Sequence, residues 1–155
     1  WSMEIHEEWI RNVLKKRKNL SRKALEAQRD MMIQAIPDSI VTDYKTITDS
    51  LELPDNNDCH VLAAAIRSNA EIIVTSNLKD FPDEILAKHN CHAEHPDEFI
   101  SNLLDLDHLK TVATFKEDRA HYLNPPYSAD EYLNILTRQG LVNTVSILED
   151  ARNLI

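Results

Sequence analysis

Apolar residues at the start of the chain recur at helical spacing. Ile5, Trp9, Ile10, Val13 and Leu14 share one face, which predicts an amphipathic helix from Met3 to about Lys18. Glu4 and Glu8 lie one turn apart on that helix and share a face, while Glu7 points elsewhere. A second helix is expected to begin near Ser21, to carry Ala24, Leu25, Met31 and Met32, and to stop at Pro37. Ser39 to Thr42 has strand character, and Asp43 to Leu51 reads as a polar turn or a helix of one or two turns. The stretch from Leu53 to Pro82 then carries a polar loop with Asp55 and Asp58, a helix from His60 to about Arg67, an apolar strand at Ile72 to Thr75, and a second acidic turn at Asn77 to Asp80. The run EIIVT does not alternate, and a strand covered on both faces need not. Its expected parallel partner is Ser39 to Thr42. Helices and strands in alternation imply an α/β fold.

Beyond Phe81 the pattern turns helical. Helices are expected at about Asp83 to Lys88, Pro96 to Leu104 and Asp107 to Leu123, with a short segment around Cys91 to Glu94. Pro125 and Pro126 break the pattern and mark the expected linker, dividing residues 1–124 from a tail of residues 125–155. In the tail, Ser128 and Glu131 form a capping box that opens a helix with Tyr132, Leu133, Ile135 and Leu136 on its face. Gly140, the one glycine of the chain, stands where a helix C-cap needs it, and Val145, Ile147 and Leu148 continue into a last helix. The tail is thus expected to be a helical hairpin.

Composition narrows the class. With 155 residues, 43% hydrophobic and 28% charged, the chain suits one globular domain with an appendage. It has no long apolar run or basic leader, so no membrane span or secretory signal is visible, and Cys59 and Cys91 are too few for a disulfide framework. A reducing cytoplasm is the simplest expectation. The net charge of −9 argues against a phosphate-binding protein until its distribution is considered. Arg11, Lys15, Lys16, Arg17, Lys18, Arg22, Lys23 and Arg29 face a single acid, Glu26, giving this stretch +7 and the rest of the chain −16. Such a stretch can grip a phosphate backbone or be a solvated helix face, and both readings stay open. The acids suggest chemistry more directly. Asp55 and Asp58 at a helix start, with Asp80 just past the carboxyl end of a strand, lie where open α/β sheets place their sites. Converging carboxylates suit a hard cation such as Mg²⁺ or Mn²⁺.

The block LPDNNDCHVLAAAIRSNAEIIVTSNLKDFP resembles the second half of a PIN domain, the nuclease fold of VapC-type toxins, in the larger subfamily that carries a helical extension. WSMEIHEEWIRNVLK resembles that family's glutamate-bearing helix, and LNPPYSADEYLNILTRQGLVNTVSIL resembles the extension. The resemblance implies a three-layer fold with a parallel sheet plus the C-terminal hairpin. It also implies a first strand ending in a metal-binding aspartate; because the chain starts at Trp1, this first β-α unit is expected to be missing.

Site roles follow from the same likeness. Glu8, Asp58 and Asp80 are the expected catalytic and metal-binding acids, with Asp58 alternatively a helix N-cap. Glu4 could substitute for Glu8; Asp55 is expected to be structural or outer, Thr75 and Asn77 supporting, and His60 a packing or capping residue. Arg11, Lys15, Lys16, Lys18 and Arg22 would grip RNA. The implied function is a Mg²⁺- or Mn²⁺-dependent endoribonuclease toxin of a toxin–antitoxin pair, impaired in this chain without the strand aspartate. Its implied partners are RNA, a cognate antitoxin, a missing N-terminal fragment and a second copy of the chain. The competing expectations are a non-catalytic remnant that binds antitoxin or RNA, and a helical interaction protein whose acids are merely solvated.

Overall fold

The computed structural model describes residues 1–155. Its elements run α1 (Met3–Lys16), α2 (Arg22–Ala35), α3 (Lys45–Thr48), α4 (Cys59–Ser68), β1 (Ile72–Val74), α5 (Asp83–Leu86), β2 (His92–Glu94), α6 (Pro96–Leu106), α7 (His108–Ala120), α8 (Ala129–Arg138) and α9 (Val142–Asp150). The order is that of a helix-rich α/β fold with a small sheet. The chain divides into two compact units, one of residues 1–73 and 77–93, the other of residues 74–76 and 94–155.

In the first unit, serines open both long helices: the Ser2 hydroxyl accepts the Ile5 N–H, and the Ser21 hydroxyl accepts the Ala24 N–H. Ile10 and Leu25 turn inward, and Pro37 begins the single turn that follows α2. The core is built around α4. Cys59, Leu62 and Ala65 pack with Leu53, Ile73, Phe81, Leu86 and Cys91, while Ala63 and Ala64 pack against Tyr44. The small side chains of Ala63, Ala64 and Ala65 let this helix be buried on more than one side. It ends at Asn69, which adopts φ 52°, a left-handed conformation that asparagine tolerates better than most residues. Both cysteines are buried free thiols.

The strand pairing differs from expectation. β1 pairs with β2, and the backbone bonds advance along both strands together, from His92 N–H to Glu71 O and then Thr75 N–H to Glu94 O, so the pair is parallel. Ser39 to Thr42 is not the partner. Ser39 completes a 3₁₀ turn, its carbonyl accepts the Trp1 amine, and the Val41 N–H donates to the Trp1 carbonyl. The backbone groups that a strand would offer to a sheet are therefore used beside α1.

The second unit is helical. Leu104, Val112, Tyr132, Leu133, Leu136, Leu148, Ala151 and Ile155 form one core shared by α6, α7, α8, α9 and the final turn. The Ser128–Glu131 capping box opens α8. Gly140 follows at φ 92°, with its N–H bonded to Thr137 O and the Leu141 N–H to Leu136 O, reversing the chain into α9. No side chain of its own neighbourhood caps α9. Instead Asp97, at the start of α6 and 5% exposed, accepts the Asn143 N–H at 2.9 Å and the Thr144 N–H at 2.8 Å. An acid from one helix start thereby satisfies the orphan donors of another. Pro125 and Pro126, the expected linker, lie inside this unit between α7 and α8; the compact units part near Glu94. The physical reason is that the tail helices bury their apolar faces against α6 and α7 rather than against each other alone.

Candidate metal site

The acids of the first unit converge. Asp58 ends the turn Asn56–Asp58 and immediately precedes α4. Its backbone is already in the right-handed helical region, at φ −88° and ψ −6°, whereas a capping residue is usually extended, and its side chain makes no cap bond. The capping reading of Asp58 therefore does not describe its carboxylate. Asp55 does hold its own loop, accepting the Asn57 N–H at 2.9 Å and the Asn57 side-chain amide at 2.8 Å. Asp80 closes the turn Leu78–Asp80 and accepts a short hydrogen bond of 2.5 Å from the Asn77 amide.

One carboxylate oxygen each from Asp55, Asp58 and Asp80 lies within 4.8 Å of the others, a donor set that matches a hard cation. Electrostatics tell the same story. Burial, followed by the charges of Asp55, Glu8 and Asp80, raises the Asp58 carboxyl above the ordinary carboxylate range, and His60 opposes this only in part. The fit to a divalent ion thus rests on a half-buried acid that lacks a donor and is surrounded by like charge.

The glutamates of α1 separate by partner. Glu8 faces His60, whose Nε2 lies 3.4 Å from its Oε2. Glu4 accepts a hydrogen bond from the Tyr44 hydroxyl at 3.2 Å. Glu7 pairs with Arg22 on another side of the helix. Glu8 therefore acts on Asp58 through its charge but stands outside the tight trio, which contains Asp55 in its place. Asp55 was expected to be an outer acid; the Asn56–Asp58 turn folds it back toward Asp58, and the DNND spacing was the only sequence signal for that. Thr75 belongs to the second unit, where its N–H donates to Glu94 O.

The basic residues divide as well. Arg11, Lys15, Lys16 and Lys18 are exposed and make no ion pair. Arg22 is held by Glu7 and, at 3.2 Å, by Glu26, so two carboxylates already oppose its charge. Glu8, Arg11 and Lys15 follow one stripe of α1, so Arg11 and Lys15 extend the helix face that carries Glu8, and Lys18 lies just past the end of the helix.

Comparison with known proteins places the chain. A family model for the PIN domain matches residues 1–79, which include Glu8, Asp55, Asp58 and Asn77 and end beside Asp80. A model for the VapC50 C-terminal domain matches residues 96–150, nearly the whole second unit beyond β2. The chain is 44% identical over 82 residues to "Putative ribonuclease VapC50" of Mycobacterium tuberculosis (strain ATCC 25618 / H37Rv), across 53% of this chain and 48% of that protein. It therefore spans about half the length of the curated relative it matches. No solved structure matches it. The chain belongs to the PIN-domain family, in the VapC-like group that carries a C-terminal extension.

Proposed function

We propose that this protein is a metal-dependent endoribonuclease, the toxin of a toxin–antitoxin pair, that cleaves RNA phosphodiester bonds at the acidic site. One observation carries the reading: Asp58 sits half-buried at a helix start without a cap bond, with Asp55 and Asp80 within 4.8 Å. Such a cluster is costly when empty and favourable around a cation. Asp58 and Asp80 would hold Mg²⁺ or Mn²⁺, with Glu8 and Asp55 as the flanking acids. The chemistry such an ion supplies is activation of water near neutral pH and stabilisation of the leaving oxygen. Asn77 fixes the Asp80 carboxylate, and Arg11, Lys15, Lys16 and Lys18 would hold the substrate's phosphates along α1. Arg22 would contribute only on release from Glu7 and Glu26.

The name of the mycobacterial relative supports ribonuclease activity, and the VapC-like family supports an antitoxin partner. No helix is long and apolar enough to cross a membrane, and action on RNA in the cytoplasm fits the reading.

The test is Mg²⁺- and Mn²⁺-dependent cleavage of single-stranded RNA by the parent chain and by Asp58→Asn and Asp80→Asn. Metal-dependent cleavage that both substitutions abolish, with folding retained, is the expected result. Cleavage that survives both substitutions would contradict the assignment.

A further inference from the structure

His60 makes one polar contact. It lies in the first turn of α4, is 6% exposed, and directs Nε2 at Glu8 Oε2 across 3.4 Å. Its Nδ1 is buried with no hydrogen-bond partner. A buried imidazole nitrogen without a partner is unfavourable, so the ring orientation is retained at a cost while its other nitrogen faces the glutamate. An imidazole N–H at Nε2 would point toward the Glu8 carboxylate.

The consequence bears on which glutamate of α1 serves the site. Glu4 and Glu8 are one turn apart on the same face, and both are long, flexible side chains. Tyr44 takes Glu4, whereas His60, two residues after Asp58, takes Glu8. A contact to one carboxylate oxygen leaves the other oxygen available to a cation and restricts the rotamers of a side chain that is otherwise a third exposed.

We infer that His60 is a positioning residue that holds the Glu8 carboxylate toward Asp58 and thereby selects Glu8 over Glu4 as the glutamate presented to a divalent cation. The inference rests on the metal-site reading proposed above. Outer residues that orient metal-binding side chains commonly change affinity by about 10- to 100-fold when removed, and the lower figure suits a contact of this length.

The experiment is Mn²⁺ binding by electron paramagnetic resonance to the full chain and to His60→Met, His60→Gln, Glu8→Gln, Asp58→Asn and the His60→Met/Glu8→Gln double variant. Met and Gln have similar size and shape, but only the amide of Gln donates. His60→Met is expected to weaken Mn²⁺ binding by about tenfold, His60→Gln to recover most of that loss, and His60→Met to have no further effect once Glu8 is Gln. Equal affinities for the Met and Gln variants overturn the inference, as does an undiminished effect in the Glu8→Gln background. Circular dichroism checks each fold, and His60→Ala takes the place of His60→Met if methionine is not accommodated. If Glu8→Gln and Asp58→Asn leave Mn²⁺ binding unchanged, the metal-site reading fails and the inference falls with it. If they weaken it and His60→Met does not, the inference alone falls.

Discussion

Two aspartates stand at helix starts in this protein, and their surroundings are opposite. Asp97, in the second unit, is 5% exposed and receives two backbone N–H groups from the start of α9. The Thr144 hydroxyl adds a bond from the same turn to the Asp97 carbonyl. Burial by itself would raise its carboxyl, but the donors of Thr144 and Asn143, with help from His95, outweigh burial and hold it below the ordinary range. Asp58, in the first unit, receives no cap bond, and burial together with Asp55, Glu8 and Asp80 raises its carboxyl. Both are aspartates at or within the first turn of a helix, Asp58 just before α4 and Asp97 at the second residue of α6. The neighbours differ: donors complete Asp97 and make it structural, whereas carboxylates surround Asp58 and leave its charge to be met by a ligand.

The sharpest way to break this contrast is to remove each acid. Asp97→Ala leaves the buried Thr144 N–H and the part-buried Asn143 N–H without an acceptor and should destabilise the second unit by about 2 kcal/mol. Urea unfolding should show it, and a loss below about 1 kcal/mol would mean that the α9 donors find other partners. Asp58→Asn should instead leave stability unchanged or increased, because it removes a charge that burial and like charges disfavour. A clear loss of stability would show that the Asp58 carboxylate does structural work after all.

The pH dependence should separate the two acids with opposite signs. Asp97 has a lowered folded-state pKa, so its contribution is present above the unfolded carboxylate value and is lost as pH falls through the folded value. Asp58 has a raised folded-state pKa, so the folded state is favoured below the unfolded value and that advantage is lost as pH rises through the folded value. Urea midpoints measured from roughly pH 3 to pH 7 should therefore lose part of their acid sensitivity in Asp97→Asn. In Asp58→Asn they should rise more steeply with pH than in the parent. Identical profiles for the two variants would remove the distinction.

A smaller effect is expected at the turn that brings α9 to Asp97. Gly140 sits at φ 92°, and a Cβ there would meet only His95 Cε1 at 3.9 Å, an ordinary contact. Gly140→Ala should thus cost about 1 kcal/mol from backbone strain rather than from a clash, measured by the same unfolding curves. A cost near zero would show that the turn relaxes to another conformation.

How much of this was legible in the sequence depended on distance along the chain. The Ser128–Glu131 capping box and the turn at Gly140 are local patterns, and they form as their spacing implies. Asp58 and Asp80 were legible as a convergent pair because open α/β folds bring helix starts and strand ends to a common crevice, and their carboxylate oxygens lie within 4.8 Å. The pairing of β1 with β2 was not, since His92–Glu94 has little apolar character and only its bonds to Glu71 and Thr75 identify it as a strand. Asp97 looked like one more acid in a first turn, because its donors lie 46 and 47 residues away. The contact of His60 with Glu8 likewise joins α4 to α1, and no local motif announces it.

The most direct test of the central claim is Mn²⁺ binding to the parent chain, to Asp58→Asn and to Asp97→Asn under conditions where all three are folded. Saturable binding in the parent, its loss in Asp58→Asn and its retention in Asp97→Asn are the expected results. Equal binding by the parent and Asp58→Asn would contradict the claim, because the acid left without a donor would then not be the one that a cation completes.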